Sequence, residues 1–112
     1  MKIGDYVRTK RGLIAKIINI STFREPYMKY GIWASYLDDI WYIGDDDIKL
    51  VKKSPIDLIE VGDYVNGLRV NEISEHTIYL DDMRDFSKKD INYVETIVTK
   101  EQFESMEYKI GE

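Results

Sequence analysis

Chemistry in this chain has to come from carboxylates, cations and aromatic rings, because its 112 residues include one histidine and no cysteine. Thiolate catalysis, disulfides and cysteine-based zinc sites are therefore excluded. A Ser-His-Asp arrangement would have to be built on His76. That residue lies in Ser74-Glu75-His76-Thr77, where a turn is expected, and reads as a solvated loop side chain. Carboxylates cluster at Asp38/Asp39, Asp45/Asp46/Asp47 and Asp81/Asp82. Acid–base work needs one such group kept protonated by burial or by a like charge. Calcium or magnesium needs several oxygens converging on one point, and Asp45-Asp46-Asp47 lacks the spaced ligands and glycine of a dedicated loop. Acidic strand ends and exposed turns account for all three clusters. No catalytic residue, metal ligand or cofactor site is assigned, and there is neither a Walker-type phosphate loop nor a dinucleotide fingerprint.

Cations and rings carry more information. Lys2, Arg8, Lys10, Arg11 and Lys16 surround the first expected hairpin, and Phe23, Tyr27, Tyr30, Trp33 and Tyr36 follow closely. Phosphates and stacked bases call for that mixture, so Arg8, Lys10, Arg11 and Lys16 form a candidate nucleic-acid site. The net charge of −5 argues for weak long-range attraction to a polyanion. The charge is unevenly spread: residues 1–53 hold 10 Lys/Arg against 7 Asp/Glu, and residues 54–112 hold 6 against 14.

The elements that position these residues come from a repeat. Ile3-Gly4-Asp5-Tyr6-Val7 returns as Val61-Gly62-Asp63-Tyr64-Val65, and Tyr36-Leu37-Asp38-Asp39-Ile40 returns as Tyr79-Leu80-Asp81-Asp82-Met83. The first pair is displaced by 58 positions and the second by 43, so the first copy is the longer one. Most of the surplus is expected in residues 22–35, as an enlarged hairpin. Each copy alone buries too little surface to be comfortably stable, so the two are expected to share an interface about a pseudo-twofold axis.

A hydrophobic fraction of 44%, rich in Ile, Val and Tyr, favours a β-rich folded chain. The Gly-Asp pairs read as turns feeding strands, with Asp5 and Asp63 capping local backbone N–H groups. Asn66-Gly67 reads as a type I′ hairpin turn. Ser54-Pro55-Ile56-Asp57 and Thr99-Lys100-Glu101-Gln102 read as short helical turns, the second through a capping box. Glu107-Tyr108-Lys109-Ile110 alternates as a tail strand. The expected fold is all-β: two tandem SH3-like small barrels from an internal duplication, with a short helical turn after each copy. Their boundaries are 1–53 and 54–112.

The stretch from Ile3-Gly4-Asp5-Tyr6-Val7 through Gly12-Leu13-Ile14-Ala15-Lys16-Ile17 looks like a KOW-type hairpin. Ser54-Pro55-Ile56-Asp57-Leu58-Ile59-Glu60-Val61-Gly62-Asp63-Tyr64-Val65-Asn66-Gly67 and Ile97-Val98-Thr99-Lys100-Glu101-Gln102-Phe103-Glu104 resemble small proteins encoded by phages and prophages of low-GC Gram-positive bacteria. The resemblance implies a phage or prophage origin and brings no activity with it.

A projecting hairpin rich in Tyr, Trp, Met and Arg has the composition of a protein-binding hot spot. Phe23, Arg24, Tyr27, Met28, Tyr30 and Trp33 are therefore the candidate partner-binding residues. The leading expectation is a non-enzymatic module that inhibits or redirects a host or phage protein, as an anti-defence protein would. Nucleic-acid binding by the basic hairpin is the alternative, and sequestration of a small nucleotide signal between the copies is a third. No charged-then-apolar leader or long apolar run is present, so a cytoplasmic monomer or homodimer with no membrane contact is expected.

Overall fold

Two glycine–aspartate turns launch two antiparallel sheets. A computed structural model describes residues 1–35 and 37–106, and the chain divides into two units, Met1–Leu58 and Ile59–Glu112. Gly4 and Gly62 take φ of 98° and 95°, a region in which a Cβ-bearing residue is strained. The carboxylate that follows folds back as a cap. Asp5 Oδ2 accepts from the Lys2 N–H at 2.9 Å, and Asp63 Oδ2 accepts from the Glu60 N–H at 2.7 Å.

In the first unit the strands are β1 (Tyr6–Thr9), β2 (Ile14–Ile20), β3 (Tyr30–Trp33), β4 (Trp41–Ile43) and β5 (Ile48–Lys52), arranged β4-β3-β2-β1-β5. Alternation puts Val7, Ala15, Ile17, Tyr30, Ile32 and Ile43 on one face as a buried cluster, with Ile20, Ala34, Ile48 and Val51 packed against it. A 3-10 turn at Asp45–Asp47 precedes β5, and another at Pro55–Leu58 follows it and buries Ile56 and Leu58.

The second unit has β6 (Tyr64–Val65), β7 (Leu68–Ile73), β8 (Thr77–Leu80), β9 (Asp85–Ser87) and β10 (Ile97–Val98), arranged β10-β6-β7-β8-β9. A 3-10 turn at Ile91–Tyr93 precedes β10, and the helix α1 (Lys100–Met106) follows it. Val65, Val70, Ile78, Leu80 and Phe86 are buried. Asn66 and Gly67 turn between β6 and β7 with φ of 51° and 82°, as the dipeptide predicts. The predicted capping box forms: Thr99 Oγ1 accepts from the Gln102 N–H, and Gln102 Oε1 accepts from the Thr99 N–H, both at 3.3 Å. The chain is thus mostly β, with one short α-helix among the described residues.

The two sheets share one strand order and matching hydrogen bonds. The Ile17 N–H donates to Asp5 O and the Gly4 N–H to Ile17 O, as the Val70 N–H does to Asp63 O and the Gly62 N–H to Val70 O. Register shifts fall at the same place, between Ile17 and Asn19 and between Val70 and Glu72.

Several expectations change. The likeness of residues 36–40 to 79–83 does not mark equivalent positions. Leu37 lies beyond β3, with its N–H on Ala34 O, whereas Tyr79 and Leu80 lie within β8. By register, Ile32 opposite Ile17 occupies the place of Leu80 opposite Val70. Residues 22–35 are also not one hairpin. Tyr30–Trp33 is an interior strand paired on both sides, because its apolar residues are needed in the core. The surplus of the first unit is spread over three connections: residues 10–13 against 66–67, 21–29 against 74–76, and 34–40 against 81–84. The division falls at Leu58/Ile59, beyond the 53/54 boundary read from sequence, so the Pro55–Leu58 turn goes with the first unit. Tyr36 and the expected tail strand at 107–110 lie outside the described residues.

Candidate binding surfaces

The connection from β2 to β3, residues 21–29, is built rather than loose. The Ser21 N–H donates to Lys29 O at 2.9 Å, and the Met28 N–H donates to Glu25 O at 2.8 Å to close a 3-10 turn at Pro26–Met28. Proline at the start of that turn supplies the φ it needs. The turn sits directly on Gly44, where a Cβ would come within 2.7 Å of Pro26 O and Tyr27 Cα. Arg24 pins the other side. Its guanidinium carbon lies 4.0 Å from the Tyr42 ring centroid, and Nη2 donates to Tyr42 Oη at 3.2 Å. From this fixed base Phe23 projects with 98% of its surface exposed and Tyr27 with 66%.

The six candidate partner-binding residues therefore separate. Phe23 and Tyr27 are exposed, Met28 is half-buried, and Arg24 anchors the loop on Tyr42. Tyr30 belongs to the core, 5% exposed, and its hydroxyl donates to Asp45 Oδ1 at 2.6 Å. That hydrogen bond, helped by desolvation, raises the Tyr30 pKa above the ordinary tyrosine value. Trp33 is 44% exposed but stands on β3, away from the loop in sequence and on the sheet's outer face.

The candidate nucleic-acid residues separate too. Arg8 is fully buried, and its Nη1 donates to Leu58 O at 3.0 Å, so it secures the Pro55–Leu58 turn and has no phosphate to meet. Lys10 and Arg11 are exposed in the connection between β1 and β2. Lys16 stands on the outer face of β2, directly opposite Tyr6 on β1 and Trp33 on β3.

That register exposes an arrangement the sequence reading missed. Tyr6 is also opposite Lys52 on β5, so Lys52, Tyr6, Lys16 and Trp33 form one row across four strands. The next row along the same face holds Asn19, Gly31 and Tyr42, with Arg24 over the Tyr42 ring. The signal available was alternation alone, Lys16 beside Ile17 and Trp33 beside Ile32, and it needed the cross-strand register to be read.

Four of the first unit's carboxylates serve the backbone or other side chains. Asp47 Oδ2 accepts from the Gly44 N–H at 3.0 Å, Asp39 Oδ1 from the Ile40 N–H at 2.7 Å, and Asp45 from Tyr30. Asp5 Oδ1 accepts from Lys53 Nζ at 3.0 Å. Lys53, together with the Lys2 N–H, lowers the Asp5 pKa below the ordinary carboxylate range. His76 stands in the turn after β7, with its side chain 77% exposed and Nε2 3.9 Å from Glu75 Oε2. Among the described residues no three metal-ligating side chains gather.

In the second unit α1 lies beside β6, and Phe103 stacks on Tyr64 with ring centroids 4.6 Å apart. Val61, Gly62, Tyr64, Arg69, Lys100, Phe103 and Glu104 line an open recess of about 270 Å³ there.

No protein-family model, curated protein or solved structure matches the chain. Among the described residues no helix is long and apolar enough to cross a membrane.

Proposed function

We propose that the chain is a non-enzymatic protein-binding module made of two copies of one SH3-like unit, the first of which grips a partner protein through the 21–29 loop. Duplication is supported by the shared strand order, the matching Gly-Asp hydrogen bonds and the matching register shifts. The binding role rests on one observation: Phe23 and Tyr27 are 98% and 66% exposed on a loop fixed by Arg24 and Gly44. Large rings held rigidly lose little entropy on burial and make effective anchors. Projecting side chains do not enclose a small molecule, which favours a macromolecular partner. Given the phage resemblance, the target is a host or phage protein in the host cytoplasm, and binding inhibits or redirects it, as in anti-defence.

The test is capture from nuclease-treated lysate of a low-GC Gram-positive host. The intact chain should retain one protein in stoichiometric amount, and a Phe23→Ala/Tyr27→Ala variant that melts normally should lose it. Equal retention by both, or none by either, contradicts the proposal.

A further inference from the structure

The outer face of the first sheet is a second surface, independent of the 21–29 loop tip. Neighbouring strands lie roughly 4.8 Å apart, so Lys52, Tyr6, Lys16 and Trp33 stand side by side as cation, ring, cation, ring. The two rings are separated by one intervening strand, which carries a lysine between them. Lys16, Lys52 and Trp33 are exposed, and Tyr6 is half-buried. Of the remaining strand positions on this face, Arg8 is fully buried and bonded to Leu58 O of the Pro55–Leu58 turn, and its cross-strand neighbours Ile14 and Leu50 are half-buried. That leaves Asn19, Gly31 and Tyr42 beside the Lys52–Trp33 row, and none of these positions is acidic. In the second row Gly31 is buried beneath Asn19, the Tyr42 ring and Ile40, and Arg24 adds a third cation at the row's end.

The second unit serves as an internal control for what the fold itself requires. Register and hydrogen bonding set Val98, Tyr64, Arg69 and Asp81 in the first row, where the first unit has Lys52, Tyr6, Lys16 and Trp33. The second row is Glu72, Tyr79 and Asp85 in place of Asn19, Gly31 and Tyr42. Tyr64 is also covered by Phe103. Tyr6 and Lys16 thus have counterparts in Tyr64 and Arg69, whereas Lys52 and Trp33 stand where the second unit has Val98 and Asp81. The second row there is acidic, so the fold itself does not require Lys52, Trp33 or an acid-free face.

A ligand complementary to this face carries negative charges and flat apolar surfaces in alternation along an extended chain. Single-stranded nucleic acid has both, whereas a duplex hides its base faces and an acidic peptide leaves the rings unused. We propose that the outer face of the first sheet binds single-stranded nucleic acid, with bases stacked on Tyr6 and Trp33 and phosphates against Lys16, Lys52 and Arg24. Only two or three cations take part and the chain is acidic overall, so binding is expected to be weak and evident at low salt.

The test uses the full chain with fluorescein-labelled oligothymidylate, by anisotropy, from about 20 to 200 mM salt. Binding is expected at the low end, with a log–log salt slope of about −1.4 to −2.1 for two or three phosphate contacts. Lys16→Glu/Lys52→Glu should weaken binding at least about tenfold, and Trp33→Leu, which keeps apolar bulk but removes the flat ring, at least about fivefold. The charge-matched control Lys88→Glu/Lys89→Glu should stay within about twofold, and Phe23→Ala/Tyr27→Ala should change nothing. Absence of binding at low salt overturns the proposal. So does a control that weakens as much as the Lys16/Lys52 pair, or a Trp33→Leu variant that binds normally while heparin competes as well as the oligonucleotide. Because the loop variant is read separately, failure here leaves the protein-binding proposal standing, and the reverse also holds.

Discussion

The two units put the same turn to different use. Asp5 and Asp63 each cap the backbone three residues upstream with Oδ2, and the other oxygen marks the difference. Asp63 Oδ1 accepts from the Lys100 N–H at 2.9 Å and so fixes the start of α1, which brings Phe103 over Tyr64. Asp5 Oδ1 instead takes the Lys53 ammonium, whose side chain is 77% exposed, and Tyr6 stands in a row beside the exposed Lys16 and Lys52. The residue two positions after each tyrosine also diverges. Arg8 reaches Leu58 O after the last strand, whereas Asn66 holds Tyr93 O and the Glu95 and Thr96 N–H groups before it. One backbone plan therefore yields one unit whose row tyrosine is stacked under a helix and one whose row tyrosine is open beside exposed lysines, in step with what each cap is bonded to.

The most severe way to break this comparison is Arg8→Ala. It removes a buried guanidinium and releases the Pro55–Leu58 turn, at a cost of about 3 kcal/mol in urea unfolding. A variant of normal stability would return Arg8 to the list of binding residues. Asp63→Ala should cost about 2 kcal/mol, since it leaves two backbone donors at the α1 start and the turn without their carboxylate. Asp5→Ala should cost less, because an exposed lysine is easily rehydrated. Equal losses would mean that the two caps are not used differently. Phe103→Ala should cost about 1 kcal/mol in urea unfolding through the lost stack and shift the Tyr64 ring-proton resonances.

Acid sensitivity sharpens the contrast. The folded Asp5 carboxyl has a pKa below its unfolded value, so the unfolded chain takes up the proton more readily. Its contribution is whole above the ordinary aspartate pKa and is lost as pH falls through the lowered folded value. Asp5→Asn should therefore flatten the acid limb of the stability–pH curve, measured by urea unfolding at stepped pH. An unchanged limb would deny the Lys53 contact its role. The smallest effect belongs to the turn after β8, where Asp82 and Met83 take φ of 62° and 56°. Met83 is fully exposed, and Met83→Asn should raise stability by about 0.5 kcal/mol, because asparagine tolerates the left-handed region.

What the sequence disclosed was local chemistry. Gly4-Asp5, Gly62-Asp63, Asn66-Gly67, Pro55 and the Thr99–Gln102 pair each determine a turn through atoms within a few residues, and each was legible. The Tyr-Leu-Asp-Asp match was misleading for the same reason. In the second unit it runs from strand β8 into a tight turn, but in the first the core already takes Tyr30 and Ile32, leaving Leu37 and Asp38 to the connection beyond. Which residue faces which across strands is a property of register, so the Lys52-Tyr6-Lys16-Trp33 row could not be read from adjacency. Arg8 misled because a cation in a basic run looks solvent-facing until something packs over it.

The most direct measurement is a backbone-amide NMR titration of the full, isotope-labelled chain with oligothymidylate at low salt. The open-unit account predicts shift changes concentrated at Tyr6, Lys16, Asn19, Gly31, Trp33 and Lys52, with Glu72, Tyr79 and Asp85 unmoved. Changes centred on the second unit, or changes spread evenly over both sheets, would contradict the claim that one copy is open for binding and the other closed.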